Sequence, residues 1–264
     1  MHFTFKKDFN YKVIPAFLML LVLSTQAQAI VSMESVHLGE PPQGFTGAFD
    51  LSIDAEYGNT EEIDVSTGLK LQLAKDKNVD FVLMSYSYGE TSDVRDENES
   101  FLHLRHIHQR DTRFAWEAFS QLSSDEFTSL KLRGLVGGGV RLTLGEITDQ
   151  RAFYLGVGGF YERERLDIDA TSNVDETSNT VRGNIYFVVK HQFNKQVSLV
   201  SSTYYQPALD EFSDFRANED ASLVSSLTDD LSFKVGIKIE HDSDPPPDVD
   251  KTDTTIHVGV SLAF

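Results

Sequence analysis

At 45–57 the chain reads Phe-Thr-Gly-Ala-Phe-Asp-Leu-Ser-Ile-Asp-Ala-Glu-Tyr, with apolar and polar residues taking turns. A period of two marks a strand whose faces meet unlike surroundings. The period returns at 63–74, 79–88, 101–109, 114–121, 130–144, 152–162, 181–193, 197–206, 216–227, 231–241 and 254–264. The pattern predicts an all-β fold of about twelve strands.

Charge decides which face is outside. In the six cleanest strands (the first, second, sixth, eighth, eleventh and twelfth) the apolar face carries no Lys, Arg, Asp or Glu. The opposite face carries Asp50, Asp54, Glu56, Asp64, Lys70, Lys131, Arg133, Arg141, Arg182, Lys190, Lys234, Lys238 and Glu240. A water-facing exterior would tolerate scattered charge, whereas a lipid-facing one penalises Arg or Lys by roughly 2–4 kcal/mol at mid-depth. The split predicts a transmembrane antiparallel up-and-down β-barrel, lipid outside and polar groups inside.

Connection lengths agree. Those after the even-numbered strands are short, at 75–78, 110–113, 145–151, 194–196 and 228–230, whereas 89–100, 163–180 and 242–253 are long. Short periplasmic turns alternating with extracellular loops place both barrel ends in the periplasm. Aromatics near strand ends (Phe45, Tyr57, Tyr86, Trp116, Phe153, Tyr161, Phe193 and Tyr205) are candidates for interfacial girdles.

The termini name the compartment. Lys6, Lys7 and Lys12 precede an apolar run at 13–23 and the small-residue site Ala27-Gln28-Ala29, which predicts a signal peptide cleaved after Ala29. The run is shorter than the roughly 20 residues a spanning helix needs. The expected organisation is a signal peptide at 1–29, a short periplasmic segment at 30–43 and an outer-membrane barrel at 44–264. Apolar residues at every second place back from Phe264 resemble the C-terminal signature by which Gram-negative barrels are recognised for assembly, so Phe264 is the candidate assembly signal.

Composition narrows the chemistry. The chain has 264 residues, no Cys and a net charge of −18. Without Cys there is no disulfide or thiolate ligand. The acidic balance argues against nucleic acid, which needs clustered Lys and Arg. Most of the acids fall in the candidate extracellular loops, where the bases are only Arg95, Arg165 and Lys251.

In His103-x-x-His106-x-His108, a strand sends His103 to one face and His106 and His108 to the other, so the three cannot converge on one ion. If Leu102 and Leu104 face lipid, His103 and Arg105 face the lumen, and a polar network with Glu117 and Arg133 is expected because buried charges need partners. The network is expected to extend to Arg182, Asp50 and Asp54, with strand-one and strand-two acids cross-paired to Arg133, Arg141, Arg182 and Lys234. The acidic, proline-rich run 242–253 lacks the Gly and closing Glu of an EF-hand loop. Gly134, Gly137, Gly138 and Gly139 lie on both strand faces, which suits curvature or close approach. No Ser sits in a Gly-rich nucleophile motif. No catalytic, cofactor or metal site is expected, and the chain is read as a non-enzyme.

Six stretches carry a family likeness: Ser100-Phe-Leu-His-Leu-Arg-His-Ile-His-Gln109, Trp116-Glu-Ala-Phe119, Leu132-Arg-Gly-Leu-Val-Gly-Gly-Gly139, Tyr204-Tyr-Gln-Pro207, Asp214-Phe-Arg216 and Asp244-Pro-Pro246. Through them, residues 44–264 resemble the YdiY-like family of salt-induced outer-membrane proteins, which is uncharacterised. The resemblance implies an outer-membrane barrel, and the family name a link to salt. Expected partners are outer-membrane lipid and lipopolysaccharide, the barrel-assembly machinery, and divalent cations at the acidic loops. Two functions stay open: a small or plugged barrel with an envelope or osmotic role, and a narrow channel for small solutes.

Overall fold

The computed structural model describes residues 43–56, 62–92, 94–109, 113–148, 150–168, 176–246 and 249–264. The expected signal peptide, nearly all of 30–43, Tyr57 and most of the first loop lie outside them, as do the side chains of 53–56.

Twelve strands run in chain order: β1 (Gly44–Glu56), β2 (Glu62–Lys75), β3 (Asn78–Thr91), β4 (Val94–Gln109), β5 (Phe114–Asp125) and β6 (Leu130–Thr143), then β7 (Arg151–Leu166), β8 (Thr177–Gln192), β9 (Val197–Pro207), β10 (Phe215–Ser226), β11 (Leu231–Asp242) and β12 (Thr252–Ala263). Each pairs antiparallel with its sequence neighbour, and β1 meets β12 to close the barrel. Closure removes the free edges that lipid could not satisfy. The closing seam is short. Its register covers Ala48↔Ala263 to Leu51↔Val260, extended by Gly47 N–H to Phe264 O at 2.7 Å and Phe264 N–H to Gly47 O at 2.9 Å. By contrast, β1 and β2 pair from Gly44↔Ala74 to Glu56↔Glu62. The end holding Gly44, Phe264 and the short turns is called the inner end below.

The alternation maps onto the two surfaces. Outward-facing Phe45, Met84, Trp116, Val157, Ile185 and Ile256 are exposed, and inward Arg133, Glu162 and Arg182 are buried. Aromatic rings edge the apolar belt at both ends, with Phe45, Trp116 and Phe193 near the inner end and Tyr86, Tyr161 and Tyr205 near the outer. This is the surface of a barrel that lipid surrounds.

Two expectations change. The stretch 89–100 is not a long loop: β3 continues to Thr91 and β4 starts at Val94, with a register shift at Gly89/Glu90. Beyond the apolar belt a strand needs no apolar face, so its acidic outer end does not look like a strand. Lys131 is not in the lumen either. A register shift between Leu130 and Leu132 turns it outward, where it reaches Asp167 at 3.5 Å.

The outer face also holds a carboxylate at Glu219. Glu219 on β10 pairs with outward Thr203 and Ile239, and accepts hydrogen bonds from Ser201 Oγ at 2.6 Å and from Thr203 Oγ1. Two hydroxyls on β9 thus satisfy both oxygens of a charge that lipid could not.

Candidate functional site: the lumen

The outer part of the lumen is cross-braced by ions. Past the apolar stretch of β7, Glu162 and Glu164 alternate inward from the exposed Tyr161, Arg163 and Arg165. Arg133 on neighbouring β6 donates to Glu162 from Nε at 2.9 Å and Nη2 at 2.6 Å. Arg182 on β8 donates its Nε to the same carboxylate at 2.5 Å and grips Asp214 through both terminal nitrogens, at 2.8 and 2.9 Å. Arg216 of β10 donates Nη1 to Glu162 at 3.2 Å, lies 2.8 Å from Glu164, and donates Nε to Asp242 at 2.8 Å. Such two-pronged contacts fix orientation as well as charge. Three guanidiniums and four carboxylates therefore tie β6–β8 to β10, to the β9–β10 connection and to the outer end of β11.

Beneath this network the lumen is packed. Glu117 on β5 takes the Tyr186 hydroxyl at 2.7 Å and lies 3.7 Å from Arg105 and 3.6 Å from Arg141. Arg141 lies over the Tyr154 ring at 3.8 Å, and Arg105 over Tyr186 at 5.4 Å. The cations are thus sandwiched between a carboxylate and aromatic faces. Gly156 makes the Tyr186 position possible, because a Cβ there would come within 1.9 Å of the ring. His103 Nδ1–H donates to Gln121 Oε1 at 3.1 Å, and the ring stacks between Phe101 and Phe119. Phe119 meets Phe160 edge-on at 6.3 Å across Gly137.

The opposite wall, β10–β12 and β1–β3, is built differently. Its inward positions include Ser66, Ser85, Ser87, Asp220, Lys234 and His257, all half-buried rather than buried. Ser66 and Ser87 share a hydrogen bond at 3.0 Å, Lys70 pairs with Asp50 at 3.0 Å, and Lys238 with Glu240 at 2.9 Å. Ser222 lies 3.5 Å from His257 and donates to Asp220 at 3.4 Å. At the outer end, Pro245, Pro246 and Val249 of the β11–β12 loop enclose a cavity of about 50 Å³ together with Thr128, Arg133 and Arg216.

The family profile described as "Protein of unknown function, DUF481" matches residues 49–264. The chain belongs to this family. No curated protein matches the DUF481 chain. Among solved structures, a NanC porin is 12% identical, with TM-score 0.49, over 82% of this chain and 98% of that one. A KdgM porin is 11% identical, with TM-score 0.44, over 83% and 99%. The translocator domain of the autotransporter NalP from Neisseria meningitidis is 10% identical, with TM-score 0.44, over 86% and 91%.

In this DUF481 barrel, His103, Arg105, Glu117, Arg133, Arg182 and Asp50 all face inward, and the Asp54 side chain lies outside the described residues. They do not form one network. Arg105 and Glu117 belong to the packed middle, Arg133 and Arg182 to the outer ions, and Asp50 to the opposite wall. The arginines find Glu162, Glu164 and Glu117 on adjacent strands and Asp50 finds Lys70, while Asp54 and Glu56, the other strand-one acids expected to pair with them, have side chains outside the described residues. Glu162, Glu164, Tyr186, Asp214 and Asp242 were not anticipated. The signal for the first two was the Glu-x-Glu alternation running on past the apolar part of β7. His106 and His108 face outward, holding Asp80 at 2.7 Å and Asn78 at 2.8 Å.

Proposed function

We propose that this protein is an outer-membrane barrel that admits small polar solutes through an off-centre passage along β10–β12 and β1–β3. The single supporting observation is the asymmetry of the lumen. Ionic and aromatic packing fills the β4–β9 side, while serines and a mixture of buried and half-buried charges line the other. A filter of hydroxyls and paired charges suits hydrated solutes at low conductance. The plugged half and the passage combine the two functions left open by the sequence, and a transport role is preferred to an enzymatic one. The apolar exterior supports the outer-membrane reading. In that setting Phe264 would serve assembly and the acidic outer strand ends would meet divalent cations and lipopolysaccharide. An osmotic or salt-linked role fits a solute pathway and belongs to the same proposal.

Planar-bilayer recordings of refolded protein test it. Wild type should show small, frequent conductance steps, and Ser87→Trp should suppress them while leaving a folded barrel. A folded wild-type barrel with no conductance overturns the passage.

A further inference from the structure

Two polar pairs stand side by side on the outer wall at the inner end. Asn78 and Asp80 share the outward face of β3, and His108 and His106 lie directly opposite them on β4. His106 Nδ1–H donates to Asp80 Oδ1 at 2.7 Å, and His108 Nδ1–H to Asn78 Oδ1 at 2.8 Å. Because both acceptors are oxygens, each bond holds the proton on Nδ1 and leaves the neutral ring its lone pair on Nε2. Neither Nε2 has a partner among the described residues. Both rings are exposed. Asn78 starts β3, and His108, one residue before the end of β4, is paired with Trp116 of the inner girdle, the level at which water meets the bilayer.

Imidazoles with Nδ1–H tied to an oxygen and Nε2 open are oriented as metal-ligating histidines are. Alternate residues of a strand lie about 6.6 Å apart, and two metal–nitrogen bonds of about 2.0–2.1 Å span up to about 4.2 Å. The rings therefore meet on one ion by leaning together about 1 Å each. Beside them, the small Ala118 and Ser120 leave a groove of about 430 Å³, lined also by Asp80, Leu104 and His106, with room for an ion's waters. Among the described residues no group of three or more ligating side chains is arranged for a metal, so two imidazoles and water would make the shell. His103 takes no part, being buried on the lumen side. We propose that His106 and His108 bind one late first-row divalent ion, copper(II), nickel(II) or zinc(II), on the inner rim, with Asp80 and Asn78 as positioning residues. Copper(II) should bind tightest. The site is separate from the passage and does not depend on it.

Copper(II) is the probe, titrated into refolded barrel without an affinity tag and in excess magnesium, a hard ion that competes for carboxylates and leaves imidazoles free. Calorimetry should find one tightly bound ion per barrel, and electron paramagnetic resonance two coordinated nitrogens. His106→Ala and His108→Ala should each weaken binding at least about tenfold, because either breaks the chelate, and Asp80→Ala, which removes no ligand, about tenfold. All three side chains are exposed, so the variants should stay folded and heat-modifiable. A folded wild-type barrel that binds no copper(II), or undiminished binding by the folded His106→Ala/His108→Ala double variant, overturns the site. Unchanged affinity in Asp80→Ala overturns its positioning role.

Discussion

Glu162→Gln is the sharpest perturbation of the packed half. The carboxylate is 1% exposed and receives three guanidiniums, and glutamine keeps its volume while removing its charge. Taking one partner from a buried ion pair costs about 3–5 kcal/mol. Here each arginine keeps a second carboxylate: Arg133 has Glu164 at 3.3 Å, Arg182 has Asp214 at 2.8 Å, and Arg216 has Glu164 and Asp242 at 2.8 Å. No guanidinium is orphaned, so the low end applies and the expected loss is about 3 kcal/mol. Glu176→Gln is the control, because its pair with Arg165 is more than half exposed and such pairs contribute about 0–1 kcal/mol. Urea unfolding in lipid vesicles measures both. Trp116 is the one tryptophan and sits on the outer face, so its fluorescence reports departure from lipid. If the two variants lose the same stability, the network contributes nothing net and the reasoning is wrong.

Ile237→Arg, on the outer face, should cost roughly 2–4 kcal/mol of barrel stability, and Ser66→Arg, on the lumen wall, much less; equal loss of heat-modifiable folded protein would contradict the face assignment. Gly156→Ala should cost about 1–3 kcal/mol by overpacking, read in the same unfolding assay, and should displace Tyr186 from Glu117. Glu219→Leu removes a carboxylate from the lipid face and should raise stability by about 1 kcal/mol in the same unfolding assay; a loss would contradict the outward placement of Glu219. Protease added to intact cells should cut between Asp167 and Glu176 and spare the tight β3–β4 connection; cleavage confined to the inner turns would invert the barrel.

Strand number and facing were legible because lipid on one side and polar lumen on the other impose a period of two on every crossing. Strand ends were less so. The acidic start of β4 lies past the apolar belt, where no partition between faces is enforced, and it resembled a loop. The Lys131 bulge was hidden because one extra residue reverses a face without altering composition. Lumen pairing was the least legible. Arg216 reaches Glu162 from 54 positions away, and Tyr186 reaches Glu117 from 69, contacts that depend on stagger around the whole barrel. Segregation of acids and bases on different strands suggested cross-lumen partners, yet the neighbouring β5 and β7 supplied those of Arg133, Arg141 and Arg182 at lower reach. The Glu219 notch fell on a strand whose alternation was too mixed to read.

The short β1–β12 seam and the serines lining the proposed passage lie on the same side of the barrel. The other side is braced by rings and guanidiniums that resist deformation, so the wall is stiff over one half and compliant over the other. Lateral pressure from the bilayer will be absorbed where the wall yields. A change in membrane tension should therefore alter the passage more than the plug, and the conductance of a single barrel should rise as the surrounding lipid is stretched.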